Sequence, residues 1–241
     1  MTGAFLNALG VLFGGLFGLA LRRPLSLGTQ IFLRSALGAS TVFSGLCLVW
    51  ASINGPFLSG LKQICIAILA VTIGSLLGKW FGLQKFSNHL GRFAGGIIAA
   101  GQSGAPRKAG DGFKACAVLF CAAPLGLIGA MADGLSGYFY LLAVKAVMDG
   151  FATLGLVKNF GWSTALSAFP VLLSLGAITT LCQFYARPVL EAHGLIGSVN
   201  IVAGLIACAV AAVIFEVRKV ELANYLPALV VAPLLAWLFS H

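Results

Sequence analysis

Apolar residues run along this chain in blocks of about twenty, separated by short polar punctuation, and within the blocks polar and apolar positions do not alternate. The blocks fall at about 3–21, 31–52, 62–83, 113–132, 138–157, 163–185, 196–215 and 223–239. A helix needs about 20 apolar residues to cross the hydrocarbon core of a bilayer, whereas barrel strands would show alternating segments of about ten. The pattern therefore predicts an all-α, polytopic integral membrane helical bundle of about eight transmembrane helices. The number falls to seven if the last block, which Pro227 and Pro233 interrupt, does not cross; bilayer neighbours can re-satisfy backbone groups that a proline frees. No shift in composition marks a second domain, so residues 1–241 read as one transmembrane domain.

The longest connection, about 84–112, has a pattern of its own. In "LQKFSNHLGRFAGGII" the residues Leu83, Phe86, Leu90, Phe93 and Ile97 recur at helical spacing, with Lys85, His89 and Arg92 on other faces. That predicts a short interfacial helix lying on a leaflet, followed by the linker "AAGQSGAPRKAGDG". There is also an internal echo. "LGVLFGGLFG" (9–18) and "LAVTIGSLLG" (69–78) align without a gap, matching Gly14 with Gly74 and Gly18 with Gly78. Duplication of this kind recurs in transporters, but small residues four apart also arise wherever helices pack closely. Gly10, Gly14, Gly18, Gly74 and Gly78 are thus predicted packing positions.

Composition agrees with the pattern: 60% of the 241 residues are hydrophobic and 9% are charged, against about 25% charged in soluble domains. The net charge of +9 sorts by side. With the N-terminus outside, the inner ends of the spans hold Arg22, Arg23, Arg34, Lys79, Lys85, Arg92, Arg107, Lys108, Lys114, Lys158, Arg218 and Lys219. The outer ends hold only Lys62 and Arg187. The positive-inside rule then places both termini on the periplasmic side and the 84–112 loop in the cytoplasm. Residues 1–21 carry no positive charge ahead of their apolar run, which is not the order of a cleaved signal peptide.

Six cysteines lie in or beside apolar blocks without a CxxC, and the three histidines are far apart. Neither a disulfide framework nor a metal site is expected, and no cofactor is implied. There is no P-loop, HExxH or GxSxG, no nucleophile with a base in view and no aromatic-basic arrangement for nucleic acid. An enzyme and a nucleic-acid partner are therefore not expected; the bilayer is, and a homo-oligomer is left open.

The chemistry centres on "LLAVKAVMDGFATLGL" (141–156), where Lys145 and Asp149 share one helix face. An ionised side chain near the bilayer centre costs roughly 2.5–3.5 kcal/mol on insertion scales, and such residues usually face a bundle interior or mark a pathway. The alternative is a self-neutralising packing pair; Lys145 could also snorkel outward and leave Asp149 as the deeper charge. The preceding span, "LFCAAPLGLIGAMADGL" (119–135), carries Pro124, Gly126 and Gly129, the makings of a broken helix whose backbone can hold an ion or small substrate. A short turn at Asp133–Gly134 makes these two spans an antiparallel pair and brings that region toward Asp149. Asn7 and Asn224 are candidates for interhelical hydrogen bonding or for ligand contact. Glu216 and Glu221 flank basic residues at the inner interface and read as solvated.

These stretches carry a resemblance. "NALGVLFGGLFGL" (7–19), the 119–135 segment, "KAVMDG" (145–150) and "LANYLPALVVAPLL" (222–235) resemble the YqgA/YdfK-like family of bacterial inner-membrane proteins, a domain of unknown function (number 554), over nearly the whole chain. The family's Cys-Val-Gly is replaced by Cys121-Ala122-Ala123. The resemblance implies a bacterial inner-membrane location and supplies no activity. On the residues, the leading expectation is a secondary transporter or permease for a small solute or ion, with its site near mid-bilayer between the fourth and fifth spans. The alternative is a membrane scaffold or partner subunit in which Lys145–Asp149 is structural.

Overall fold

The computed structural model describes residues 1–21, 26–102, 110–217 and 220–239, and the described residues are almost wholly helical. The α-helices are α1 (Thr2–Ala20), α2 (Leu27–Ser52), α3 (Phe57–Trp80), α4 (Leu83–Gln102), α5 (Asp111–Cys121), α6 (Pro124–Ser136), α7 (Tyr140–Phe160), α8 (Ala168–Leu181), α9 (Arg187–Ala192), α10 (Ile196–Ile214) and α11 (Ala228–Leu238). Of the sequence positions invoked above, Arg22, Arg23, Arg107, Lys108, Arg218 and Lys219 lie outside the described residues. By length and composition five helical stretches can cross a membrane, six when α5 and α6 count as one bent span.

Local chemistry sets the boundaries. Ser26 caps α2 by accepting the Thr29 N–H at 3.2 Å, satisfying a donor left over at the helix start. Pro124 has no N–H to offer the preceding turn, so α5 stops and α6 restarts with the proline in its first turn, bent by 58°. One of the five crossing stretches, Tyr140–Ala192, is a hairpin. Gly3 faces Leu142 and Gly18 faces Val157, so α1 and α7 run the same way; Gly15 then meets Ala165 while Thr180 reaches the Sδ of Met1, so α8 runs back. The reversal sits at Gly161, whose φ of 74° and ψ of −166° suit a residue without a Cβ. A five-residue π-helical segment, Cys182–Ala186, joins α8 to α9.

The helices sort into two lobes. One core gathers Ala4, Ala8 and Val11 of α1, Cys116 and Phe120 of α5, and Ala168, Val171 and Leu175 of α8. The other gathers Leu48 of α2, Ala67 and Ala70 of α3, most of the buried face of α10, and Ala228, Leu229 and Ala232 of α11. Helix α6 and the first turn of α7 belong to both, since Leu125 and Leu141 enter the second core while Ala130 and Leu142 enter the first. The seam between the lobes therefore runs along α6 and α7. At one end Tyr138, between those helices, closes it by donating to the Ser44 carbonyl of α2 at 2.7 Å. At the other end the lobes part around a cleft of about 560 Å³ bounded by α2, α7 and α10.

Small residues let the helices inside each lobe approach closely. A methyl placed on Gly10 or Gly14 would overlap the backbone of Ala146 or Gly150 on α7. One placed on Gly74 or Gly78 would overlap Ala228 or Asn224. The two echoing segments are thus used alike, although α1 packs parallel to α7, whereas α3, with Lys62 donating to the Phe239 carbonyl, packs antiparallel to α11.

Helix α4 spans the basic end. At its start the Gln84 N–H donates to Asn224 Oδ1 and Gln84 Oε1 accepts from the Ala223 N–H, at 3.1 and 3.2 Å. Near its end Gly101 lies against the Phe160 ring at the foot of α7. Phe86 and Phe93 stand exposed one residue beyond exposed Lys85 and Arg92.

Candidate functional site

Helix α7 turns one polar face into the first lobe, where Lys145 and Asp149 meet as an ion pair. Lys145 is 1% exposed and Asp149 7%, so Lys145 does not snorkel. Its ammonium sits 5.8 Å from the centre of the Phe120 ring, an approach that stabilises a desolvated cation. Gly126, two residues into α6, gives room for the Lys145 stem: a Cβ there would lie 2.9 Å from Lys145 Cε. Cys116, one turn before Phe120 on α5, faces Asp149 and is fully buried. Thr153 donates to the Asp149 carbonyl at 2.7 Å, folding its hydroxyl back onto the helix.

Asn7 completes the cluster from α1. It is 0% exposed and its amide is directed at the Asp149 carboxylate, but neither its nitrogen nor its oxygen reaches a partner in full hydrogen-bond geometry. Leaving a buried polar group unpaired costs about 1–3 kcal/mol. Leu has nearly the shape of Asn, so Asn7→Leu is expected to raise stability by about 1 kcal/mol or more, read as the midpoint of thermal unfolding in detergent. A marked loss would mean that the amide carries bonds in the membrane.

The sequence-derived candidates divide. Asn7, Gly126, Lys145 and Asp149 come together. Pro124 sets the break that lets α6 start at this level, while Gly129 meets Leu141 and Leu142 and serves packing. Asn224 lies in the other lobe, where its amide donates to Glu221 Oε2 at 2.8 Å and its oxygen holds α4. Glu216 stays exposed to solvent, as expected, and pairs there with Arg34 at 2.5 Å. The Cys121-Ala122-Ala123 stretch forms the break itself, with Ala122 helical and Ala123 extended (φ −65°, ψ 123°); neither conformation needs glycine, so alanine fits there. Among the described residues no group of His, Cys, Asp and Glu is placed to hold a metal.

Three residues were missed. Cys116 and Phe120 read as part of an apolar run, and only their four-residue spacing toward the break could have paired them with α7. Asp133 read as a turn residue; it is buried and accepts from the Gly3 N–H at 3.0 Å and the Met1 ammonium at 3.1 Å.

Residues 2–237 match the family described as protein of unknown function, DUF554. The chain belongs to that family. It is 23% identical over 234 residues to the uncharacterized membrane protein YdfK of Bacillus subtilis (strain 168), covering 97% of this chain and 94% of that one. To the uncharacterized protein YqgA of Escherichia coli (strain K12) it is 27% identical over 236 residues, covering 96% and 94%. No solved structure matches. This DUF554 chain is thus a polytopic helical membrane protein.

Proposed function

We propose that this DUF554 protein is a proton-coupled secondary transporter of a small solute in the bacterial inner membrane, with both termini periplasmic. The supporting observation is the buried Lys145–Asp149 pair on α7, one of the helices along the seam between the lobes, beside a broken helix and a cleft between α2, α7 and α10. Met148 and Ala152, on the neighbouring face of α7, line that cleft. Packing around the pair leaves little room for a solute but can admit a proton, and a neutral Asp149 would release Lys145 and loosen α7 against α5 and α6. Asp149 is therefore the proton acceptor and Lys145 its counter-ion. A scaffold held by a structural ion pair is the second reading, favoured by how completely the two charges satisfy each other.

Two experiments test this. Spin labels at Leu33 and Leu154, on opposite walls of the cleft, are expected to give two distance populations in nanodiscs, with Asp149→Asn shifting the balance. A single distance indifferent to Asp149 leaves the scaffold. For orientation, the cleft's open end carries Arg34 and Lys158 and is cytoplasmic by the positive-inside rule. A reporter fused after His241 is expected on the periplasmic side and one within 100–110 in the cytoplasm; the opposite pair of results would invert the proposed topology.

A further inference from the structure

The cleft between the lobes has a chemistry that the buried pair does not share. Its volume, about 560 Å³, falls in the range of roughly 300–1,000 Å³ typical of small-molecule sites. Its walls are apolar, with Leu37 from α2, Phe151 from α7 and Val213 from α10. Its charges lie toward the open end: Arg34, Glu216 and Lys158. Arg34 and Glu216 neutralise each other, and among the described residues no carboxylate pairs with Lys158. Among the described residues one net positive charge therefore stands at the mouth of an apolar slot whose wall includes the Phe151 ring.

We propose that this cleft binds a water-soluble organic monoanion, a carboxylate on a compact apolar or aromatic body, with the carboxylate at Lys158 and the body against Phe151. A neutral apolar molecule would leave the Lys158 charge uncompensated, and an organic cation would be repelled by it. A dianion would have to compete with Glu216 for Arg34. The slot takes one such body and no more than one charge. This deepens the transport reading by naming the class of its cargo, but the site itself requires only binding.

Gly155 offers a clean steric test. It lines the cleft, and a Cβ built on it meets nothing within 4 Å. Gly155→Leu should thus fold normally and fill the slot. Lys158 is exposed at the last turn of α7, so Lys158→Gln should fold as well. The experiment is calorimetric titration of the full-length protein in phosphatidylcholine nanodiscs with 3-phenylpropionate, its amide and 3-phenylpropylamine. The carboxylate is expected to bind, with the amide and amine at least tenfold weaker. Lys158→Gln should weaken the carboxylate at least tenfold, Lys158→Arg should restore it, and Gly155→Leu should abolish it, all with unchanged unfolding midpoints. Equal binding of acid and amide would overturn the proposal, as would binding that survives Gly155→Leu. So would native mass spectrometry showing a phosphatidylglycerol that Lys158→Gln removes and 3-phenylpropionate cannot displace, since the cleft would then be a lipid site. Failure here with two lobe distances still present would leave the transport reading standing. Binding here with a single lobe distance would do the reverse.

Discussion

Asp149→Leu should destabilise the purified protein by about 3–5 kcal/mol, whereas Lys145→Met combined with Asp149→Leu should come close to the wild type. Removing one partner strands an ammonium that is 1% exposed, with the Phe120 face beside it. Removing both takes away two desolvation penalties along with their mutual attraction, and apolar replacements of similar volume often match or exceed the stability of the pair. Read by unfolding in detergent across the four variants, the cycle should return a large coupling energy. The same four proteins, labelled across the cleft, separate the two functional readings. A stable double mutant that still shows both lobe distances in wild-type proportion would mean that the pair only holds helices together. A stable double mutant locked at one distance would mean that the charges set the balance between states.

The second large effect is expected at the helix crossings. Gly14→Leu and Gly78→Leu should each cost at least about 3 kcal/mol, the upper range for overpacking, and appear as loss of folded protein on size-exclusion chromatography. The reason is geometric. The first atom of the new side chain would meet backbone, Gly150 in one case and Asn224 in the other, and backbone cannot rotate away as a side-chain tip can. Gly155→Leu, of equal added volume but in open space, is the matched control. Normal folding of the first two would mean that the helices sit farther apart than described.

Much of this fold is legible in the sequence because a bilayer leaves a chain few options. Apolar blocks of sufficient length must be helices, and the charge count orders their ends. The pairing directions within the structure fit that order: α1 runs with α7, while α2 and α3 run against α10 and α11, Gly45 meeting Gly204 and Gly74 meeting Ala228. The break at Pro124 was readable from the missing donor, and the Lys145–Asp149 pair from its cost. The grouping into two lobes was not, because every block is apolar on nearly all sides and hydropathy does not say which neighbour a face prefers. For the same reason Asn7 and Asn224 looked alike, one becoming a member of the charged cluster and the other a latch for α4. Cys116 and Phe120 stayed hidden because their role depends on what stands opposite them.

Helix α4 works as a tie-bar. Its first turn is fastened to the 222–225 turn of the second lobe and its last turn abuts Phe160 of the first, so 20 residues, about 30 Å of stiff rod, connect two bodies across their open end. A rod tied at one end and braced against a ring at the other transmits force along its length and limits travel. Any widening of the cleft has to stop when the bar comes under tension, and any push on the bar from the membrane surface is delivered to both bodies at once. If the lobes move as proposed, the length of one helix limits that movement, and shortening it by a turn would shorten the movement in proportion.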